Sequence, residues 1–265
     1  ARVLGQNMLV SVTSFYRDPA AWDNLSKVLG NDLTRAAEAE PLRLWVPGCA
    51  TGEEAYTLAM IAARALGFPA DLTGRLKVFA TDLDDTALEI ARRGIYPASA
   101  ADRLPRDLRD HYTEVLGSNM VMKPQLKECV VFARHNLAVD PPFLRVDIVS
   151  CRNLLIYFEQ ELQDSVLRTL HFSLKPGGLL QLGTSEGVGY LSDEFPAVNP
   201  KQRLYRRGRT PVDPPRLSGL STPRPRSQVP LNHSARSDEN QVLRDPRLRA
   251  LAPPSLVVNE NGNLV

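Results

Sequence analysis

Leu42-Arg43-Leu44-Trp45-Val46-Pro47-Gly48-Cys49-Ala50-Thr51-Gly52-Glu53-Glu54 decides the fold. Residues 42–46 are an apolar run of strand length. After the glycines, Ala55, Leu58, Ala59, Ala62 and Leu66 share one side of a helix over about 53–66, which Gly67 ends. A strand that turns through glycines into a helix makes a nucleotide-binding edge, because glycine permits a tight turn and close approach of backbone to ligand. Gly48 and Gly52 are spaced Gly-x-x-x-Gly, with Ala50 between them. This is neither the Gly-x-Gly-x-x-Gly of dinucleotide sites nor a phosphate loop ending in Lys-Ser/Thr. Glu53 and Glu54 open the helix. Their charge opposes a pyrophosphate but suits a sulfonium or an amino group; acids in a first helical turn are also favourable on dipole grounds alone.

Working outward, a second strand over 76–81 ends in Thr81-Asp82. The Asp82 carboxylate can accept both ribose hydroxyl hydrogens, or cap the helix over about 84–93, a task Asp84 can take instead. Further strands are expected over about 129–134, over 146–150 behind the Pro141-Pro142 breaker, and over 179–183 behind Lys175-Pro176-Gly177-Gly178. A helix over about 159–173 separates the last two. Residues 202–207 read as an edge strand. Upstream, Trp22, Leu25, Val28 and Leu29 predict a helix over 19–39 with Pro19 at its start. Residues 97–128 are charged and irregular and read as helix plus connection. The alternation predicts an α/β fold, an open and mostly parallel sheet with helices on both faces. Ligands in such sheets sit beyond the carboxyl ends of the strands. The chemically suggestive stretches 47–54, 81–82, 135–137, 150–153 and 184–186 all fall there.

Behind the third strand, Asn136 can hydrogen-bond an adenine edge with Leu137 against the base, or both can belong to an ordinary turn. Behind the fourth strand, Asn153 can bind the amino-acid part of a cofactor. Leu154 to Phe158 can wall a pocket in which Tyr157 faces the reactive centre, or supply core aromatics. Thr13-Ser14-Phe15-Tyr16-Arg17-Asp18 pairs aromatics with an arginine that can attract a carboxylate, or simply leads into the helix that follows. His111, His135, His171 and His233 have no ligand spacing, and no metal is expected.

The 265 residues, 43% of them hydrophobic, suffice for one sizeable α/β domain. Residues 206–265 hold ten arginines against five acids, and nine of the 21 prolines. They read as a solvated linker, with RNA or acidic lipid as the alternative contact. With a formal net charge of +2 overall, the rest carries −3, which argues against a nucleic-acid footprint. Cys49, Cys129 and Cys151 form no disulfide framework, and nothing resembles a signal peptide or a membrane span. The expectation is a reducing, cytoplasmic setting with no membrane insertion. The first residue is not methionine, so a fragment of a longer protein is expected.

The chain resembles the CheR-type chemotaxis receptor glutamate methyltransferases. The resemblance runs through Ser11-Val12-Thr13-Ser14-Phe15-Tyr16-Arg17-Asp18, Gly48 to Glu54, Val78 to Asp82, Asn136-Leu137, Cys151 to Phe158, Lys175-Pro176-Gly177-Gly178 and Gly183-Thr184-Ser185-Glu186. It implies a Rossmann-like class I S-adenosylmethionine-dependent methyltransferase that converts chemoreceptor glutamates to γ-methyl esters and releases S-adenosylhomocysteine. It implies that Ser11, Thr13, Arg17, Gly48, Glu54, Asp82, Asn136, Leu137 and Asn153 contact or shape the cofactor site. It makes Tyr157 the active-site tyrosine, and Arg17 or Arg152 the residue that orients the incoming glutamate. Family members carry asparagine where Ser11 stands, and serine lacks the amide pair. By this resemblance, 1–207 is the catalytic domain without most of the family's N-terminal helical domain. A receptor-docking β-subdomain belongs in the region of 103–128. Residues 208–250 are a linker, and 251–265 resemble the start of a PAS module. Partners implied are the cytoplasmic domain of a chemoreceptor and, in hybrid members, methylesterase, PAS and kinase modules. The alternatives are a methyltransferase for another carboxylate, or a non-catalytic cofactor-binding module.

Overall fold

The computed structural model describes residues 13–32 and 40–209. Ser11, the part of the linker from 210 onward, the expected PAS-like start at 251–265 and the end of the first expected helix (33–39) lie outside the described residues.

Seven strands form one sheet: β1 (Leu42–Pro47), β2 (Leu76–Asp82), β6 (Val130–Arg134), β7 (Val146–Cys151), β8 (Leu174–Leu182), β9 (Ala197–Asn199) and β10 (Leu204–Arg206). Their order is β6-β2-β1-β7-β8-β10-β9. The first five run parallel, and β10 pairs antiparallel with both β8 and β9. Helices α1 (Pro19–Asp32), α2 (Glu53–Ala65), α3 (Asp85–Arg93) and α6 (Gln160–Ser173) flank it.

Side-chain alternation along the strands divides the core in two. Leu42, Leu44 and Val46 of β1, with Leu76, Val78 and Ala80 of β2, pack under α1, α2 and α3. Trp45 points to the other face, where Val149 and Cys151 of β7, and Leu180 and Leu182 of β8, meet Val166, Leu167 and Leu170 of α6. Trp45 is fully buried, and its indole N–H donates to Thr81 Oγ1 at 3.0 Å. Burying a side chain of this size contributes roughly 2–3 kcal/mol, and pairing its one polar atom avoids a desolvation penalty.

Two expectations are corrected. Residues 97–128 are not helix plus connection. They contain α4 (Arg106–Tyr112), α5 (Pro124–Lys127) and most of a second, antiparallel sheet of order β3-β5-β4, from β3 (Ile95–Pro97), β4 (Thr113–Leu116) and β5 (Asn119–Met122). Its apolar side, Tyr96, Met120 and Met122, joins the core under α2. The fifth parallel strand starts at Leu174 rather than 179. It absorbs Lys175-Pro176-Gly177-Gly178 through a register shift opposite Val146 and Ile148. A Cβ on Gly178 would stand 2.9 Å from the Lys175 carbonyl oxygen and 3.0 Å from that of Asp147. Glycine therefore lets the strand enter the sheet early.

Among the described residues, no helix is long and apolar enough to cross a membrane.

Candidate cofactor and active site

The turn after β1 is built from left-handed residues. Gly48, Ala50 and Gly52 have φ of 69°, 46° and 94°. A Cβ at Gly48 would meet the methyls of Leu154 at 2.9 and 3.0 Å, and one at Gly52 would meet Ala91 Cβ at 2.8 Å. Two hydrogen bonds pin this turn to the end of β2: Cys49 N–H to Thr81 O (3.0 Å) and Ala50 N–H to Asp82 Oδ2 (2.8 Å).

Asp82 Oδ1 also accepts from the amides of Leu83 (2.7 Å) and Asp84 (3.0 Å). Asp84 caps α3 by accepting from Thr86 and Ala87, so Asp82 is not the helix cap. Three amides instead fix the Asp82 carboxylate at the carboxyl edge of the sheet.

Of the two acids that open α2, Glu53 accepts from Thr51 Oγ1 at 2.6 Å, while Glu54 lines the cleft and accepts from Ser150 Oγ at 2.7 Å. Burial pushes the Glu54 carboxyl up to about 7, against the opposing pull of Arg152 and the Ser150 hydrogen bond. In the ligand-free protein a raised carboxyl favours the folded state at low pH. That contribution is lost as pH rises from the ordinary carboxylate range through about 7. His171 acts in the opposite sense. Burial holds its imidazole down to about 4, so its contribution is lost as pH falls from 6.5 toward 4. A cationic ligand favours ionised Glu54. Affinity for S-adenosylmethionine should therefore rise about tenfold from pH 6 to pH 8, and Glu54→Gln should flatten the profile. Calorimetric titration at the two pH values checks this; a flat wild-type profile would contradict it.

Arg152 is buried. Its guanidinium donates to Asp18 Oδ2 at 2.7 Å and to the Arg17 carbonyl at 2.9 Å, and lies 4.7 Å from the Trp22 ring centroid. It braces the segment before α1, in which Tyr16 and Asp18 have φ of 50° and 57°. Arg17 itself is exposed and lines the cleft.

The loop after β7 hangs on Glu186. Its carboxylate accepts from the amides of Gly183 (2.7 Å), Asn153 (2.9 Å) and Leu155 (2.8 Å) and is 5% exposed. Asn153 has φ of 58°, and Tyr157, 53% exposed, ends the short 3-10 turn Leu155–Tyr157. Asn136 closes an Asx turn through its side-chain oxygen, which accepts from Ala138 N–H, leaving the donor side of the amide for a ligand.

Thr13, Arg17, Gly48, Glu54, Asp82, Asn136, Leu137, Arg152, Asn153 and Tyr157 thus come together around one cleft of about 410 Å³. This is within the range of small-molecule sites. Tyr96, discussed below, was not singled out from sequence, and Glu186, although within the chemically suggestive stretch 184–186, was given no role there. For Glu186 the signal was an acid three residues beyond Gly183, at the end of β8. Among the described residues, no group of three or more His, Cys, Asp or Glu is placed to hold a metal.

The donor set fits S-adenosylmethionine: a fixed carboxylate for the ribose, a second carboxylate for cationic groups, and apolar Leu137 and Leu154. Fold and cleft together define a class I S-adenosylmethionine-dependent methyltransferase. The CheR methyltransferase SAM-binding domain matches residues 11–204, and the chain belongs to the CheR family. It is 35% identical over 198 residues to the chemotaxis protein methyltransferase of Escherichia coli, covering 71% of this chain and 65% of that one. It is 32% identical over 198 residues to chemotaxis protein methyltransferase 1 of Pseudomonas aeruginosa, covering 72% and 71%. An uncharacterized 104.1 kDa protein of Rhodobacter capsulatus is 38% identical over 269 residues. That alignment spans 99% of this chain but only 28% of the relative's length.

Proposed function

We propose that the chain methylates glutamate side chains in the cytoplasmic domain of a chemoreceptor, forming γ-methyl esters. One observation carries this reading: the exposed part of the cofactor cleft's lining includes the half-exposed Tyr157 and the exposed cation Arg17. An exposed cation in the lining suits an anionic acceptor, and the names of the related chemotaxis methyltransferases support the same choice.

When bound, S-adenosylmethionine supplies an electrophilic methyl: a carboxylate oxygen forms the new C–O bond as the S–CH₃ bond breaks, and the electron pair stays on sulfur. The acceptor is already ionised at pH 7, so no general base is needed. The protein's task is alignment in a water-poor site. Asp82 and Glu54 hold the ribose and amino-acid ends, Asn136 and Leu137 the base. Asn153 borders the amino-acid end. Arg17 orients the incoming carboxylate, while Arg152 braces the segment that carries Arg17. Tyr157 shapes the transfer region. The second sheet is the receptor-docking element in this reading. A PAS-like module beginning near 251, and methylesterase or kinase partners, belong to the same proposal.

The test is transfer of labelled methyl from S-adenosylmethionine to receptor cytoplasmic domains, followed by base treatment. Release of methanol identifies an ester, whereas a base-stable product points to another acceptor. In the same assay Tyr157→Phe should slow transfer about tenfold while leaving S-adenosylhomocysteine affinity within twofold, as expected for a group that acts near the transition state. Weaker binding with unchanged turnover of the bound complex would contradict that role.

A further inference from the structure

We infer that Tyr96 is a positioning residue that couples the small β3-β5-β4 sheet to the cofactor-binding turn, an inference that rests on the cleft being the cofactor site. Tyr96 sits in the middle of β3, is 5% exposed, and is not among the residues that line the cleft. Its hydroxyl donates to the Thr51 carbonyl at 2.7 Å, between the two left-handed residues Ala50 and Gly52. Its ring meets Phe15 edge-on with centroids 4.8 Å apart. Phe15 belongs to the segment that carries Thr13 and Arg17 to the cleft. One side chain of the second sheet therefore supports two walls of the site from behind.

The turn needs such support. Alanine disfavours the left-handed region that Ala50 occupies, so the loop's own conformational preference opposes its native shape. From the β2 side it is held by the amides of Cys49 and Ala50. Tyr96 holds it from the other side. Burial, with Glu53 next in effect, raises the Tyr96 hydroxyl far above the ordinary tyrosine range, so it stays protonated and remains a donor.

The link back to the sheet is short. Only Gly94 (φ 64°) and Ile95 separate α3 from Tyr96, and a Cβ on Gly94 would stand 3.1 Å from the Tyr56 hydroxyl. The Gly94 carbonyl accepts from Met122 N–H of β5 at 2.9 Å. A shift of the small sheet thus moves Tyr96 and, through it, Thr51. By linkage, a partner bound on that sheet would alter cofactor affinity, and cofactor would alter partner affinity by the same factor.

The experiment compares Tyr96→Phe, which keeps the ring and removes only the hydroxyl, with Tyr56→Phe. Tyr56 loses a buried hydrogen bond to the Ala91 carbonyl at 2.9 Å, whose acceptor lies in α3 and not in the turn. Both are titrated with S-adenosylhomocysteine and melted beside the wild type. The expected result is a Kd raised about fivefold for Tyr96→Phe, the effect of one hydrogen bond. Tyr56→Phe should keep the wild-type Kd, with both Tm values lowered by similar amounts. A Kd for Tyr96→Phe within twofold of wild type would overturn the inference. So would an equal rise in both variants, which would mean general loosening. Failure of the wild type to bind would count against the cofactor site itself, and the inference would fall with it.

Discussion

Replacing Asp82 by alanine should weaken S-adenosylhomocysteine binding about 100-fold, with a fall in Tm as a second consequence. A charge-assisted hydrogen bond from a ribose hydroxyl to the one site on Oδ2 that the amides leave open, contributing up to roughly 3 kcal/mol, would account for the affinity loss. The Tm falls because the carboxylate also holds the amides of Ala50, Leu83 and Asp84. Asparagine should be little better than alanine. Oδ1 accepts from two amides and Oδ2 from a third, so either orientation of the asparagine amide sets an NH₂ donor against a backbone donor. Calorimetric titration of both variants checks the prediction. A Kd for Asp82→Ala within threefold of wild type would remove the ribose assignment. An asparagine variant close to wild type would show that the amide contacts do not set the affinity.

The large sheet was legible because its strands and helices carry their period openly. Leu42, Leu44 and Val46 face one core cluster and Trp45 the other, an alternation visible in six residues. The family resemblance placed a β-subdomain in the region of 103–128, but the residues' own pattern did not show the small sheet, for a physical reason. Its strands are three or four residues long, and only one side of it is buried, so Glu114, Val115 and Leu116 are exposed and no apolar run marks β4. One local signal was present: Gly117-Ser118, with φ of 61° at Gly117, closes the two-residue hairpin between β4 and β5. The early start of β8 was hidden by Pro176 and two glycines, which read as a breaker and instead form an irregular strand entry.

In the site, the positions of the candidate residues followed from topology, since strand ends in a parallel sheet converge on one edge. Their partners did not follow. Arg152 and Asp18 are 134 residues apart, and nothing local says that one will hold the other. From sequence, Arg17 and Arg152 were equal candidates to orient an acceptor; burial separates the brace Arg152 from the exposed Arg17. Glu54 and Glu53 are neighbours with the same chemistry, and only the helix phase sends Glu54 to Ser150 and the cleft.

The largest loss of stability should come from Glu186→Ala, roughly 4 kcal/mol in urea denaturation. Glu186 does not line the cleft, yet three amides depend on it, one of them from the lining residue Asn153. Truncation leaves the N–H groups of Gly183, Asn153 and Leu155 without their acceptor in a buried place, each costing about 1–3 kcal/mol. The site has little room to adapt, because a Cβ on Gly183 would stand 2.7 Å from Glu186 Oε2 and 3.0 Å from the Asn153 nitrogen. Water would have to enter a space shaped around a carboxylate. Glutamine should fall between alanine and wild type. With its carbonyl in the place of Oε2 it keeps the Gly183 and Asn153 amides, and its NH₂ then opposes only Leu155. Cofactor affinity should follow the same order, since Asn153 in its left-handed conformation and Leu154 against Gly48 form the wall that this carboxylate holds. A loss below about 1 kcal/mol for Glu186→Ala would mean that the loop holds itself without the carboxylate. A stability loss with unchanged S-adenosylhomocysteine affinity would mean that the wall is not part of the binding site.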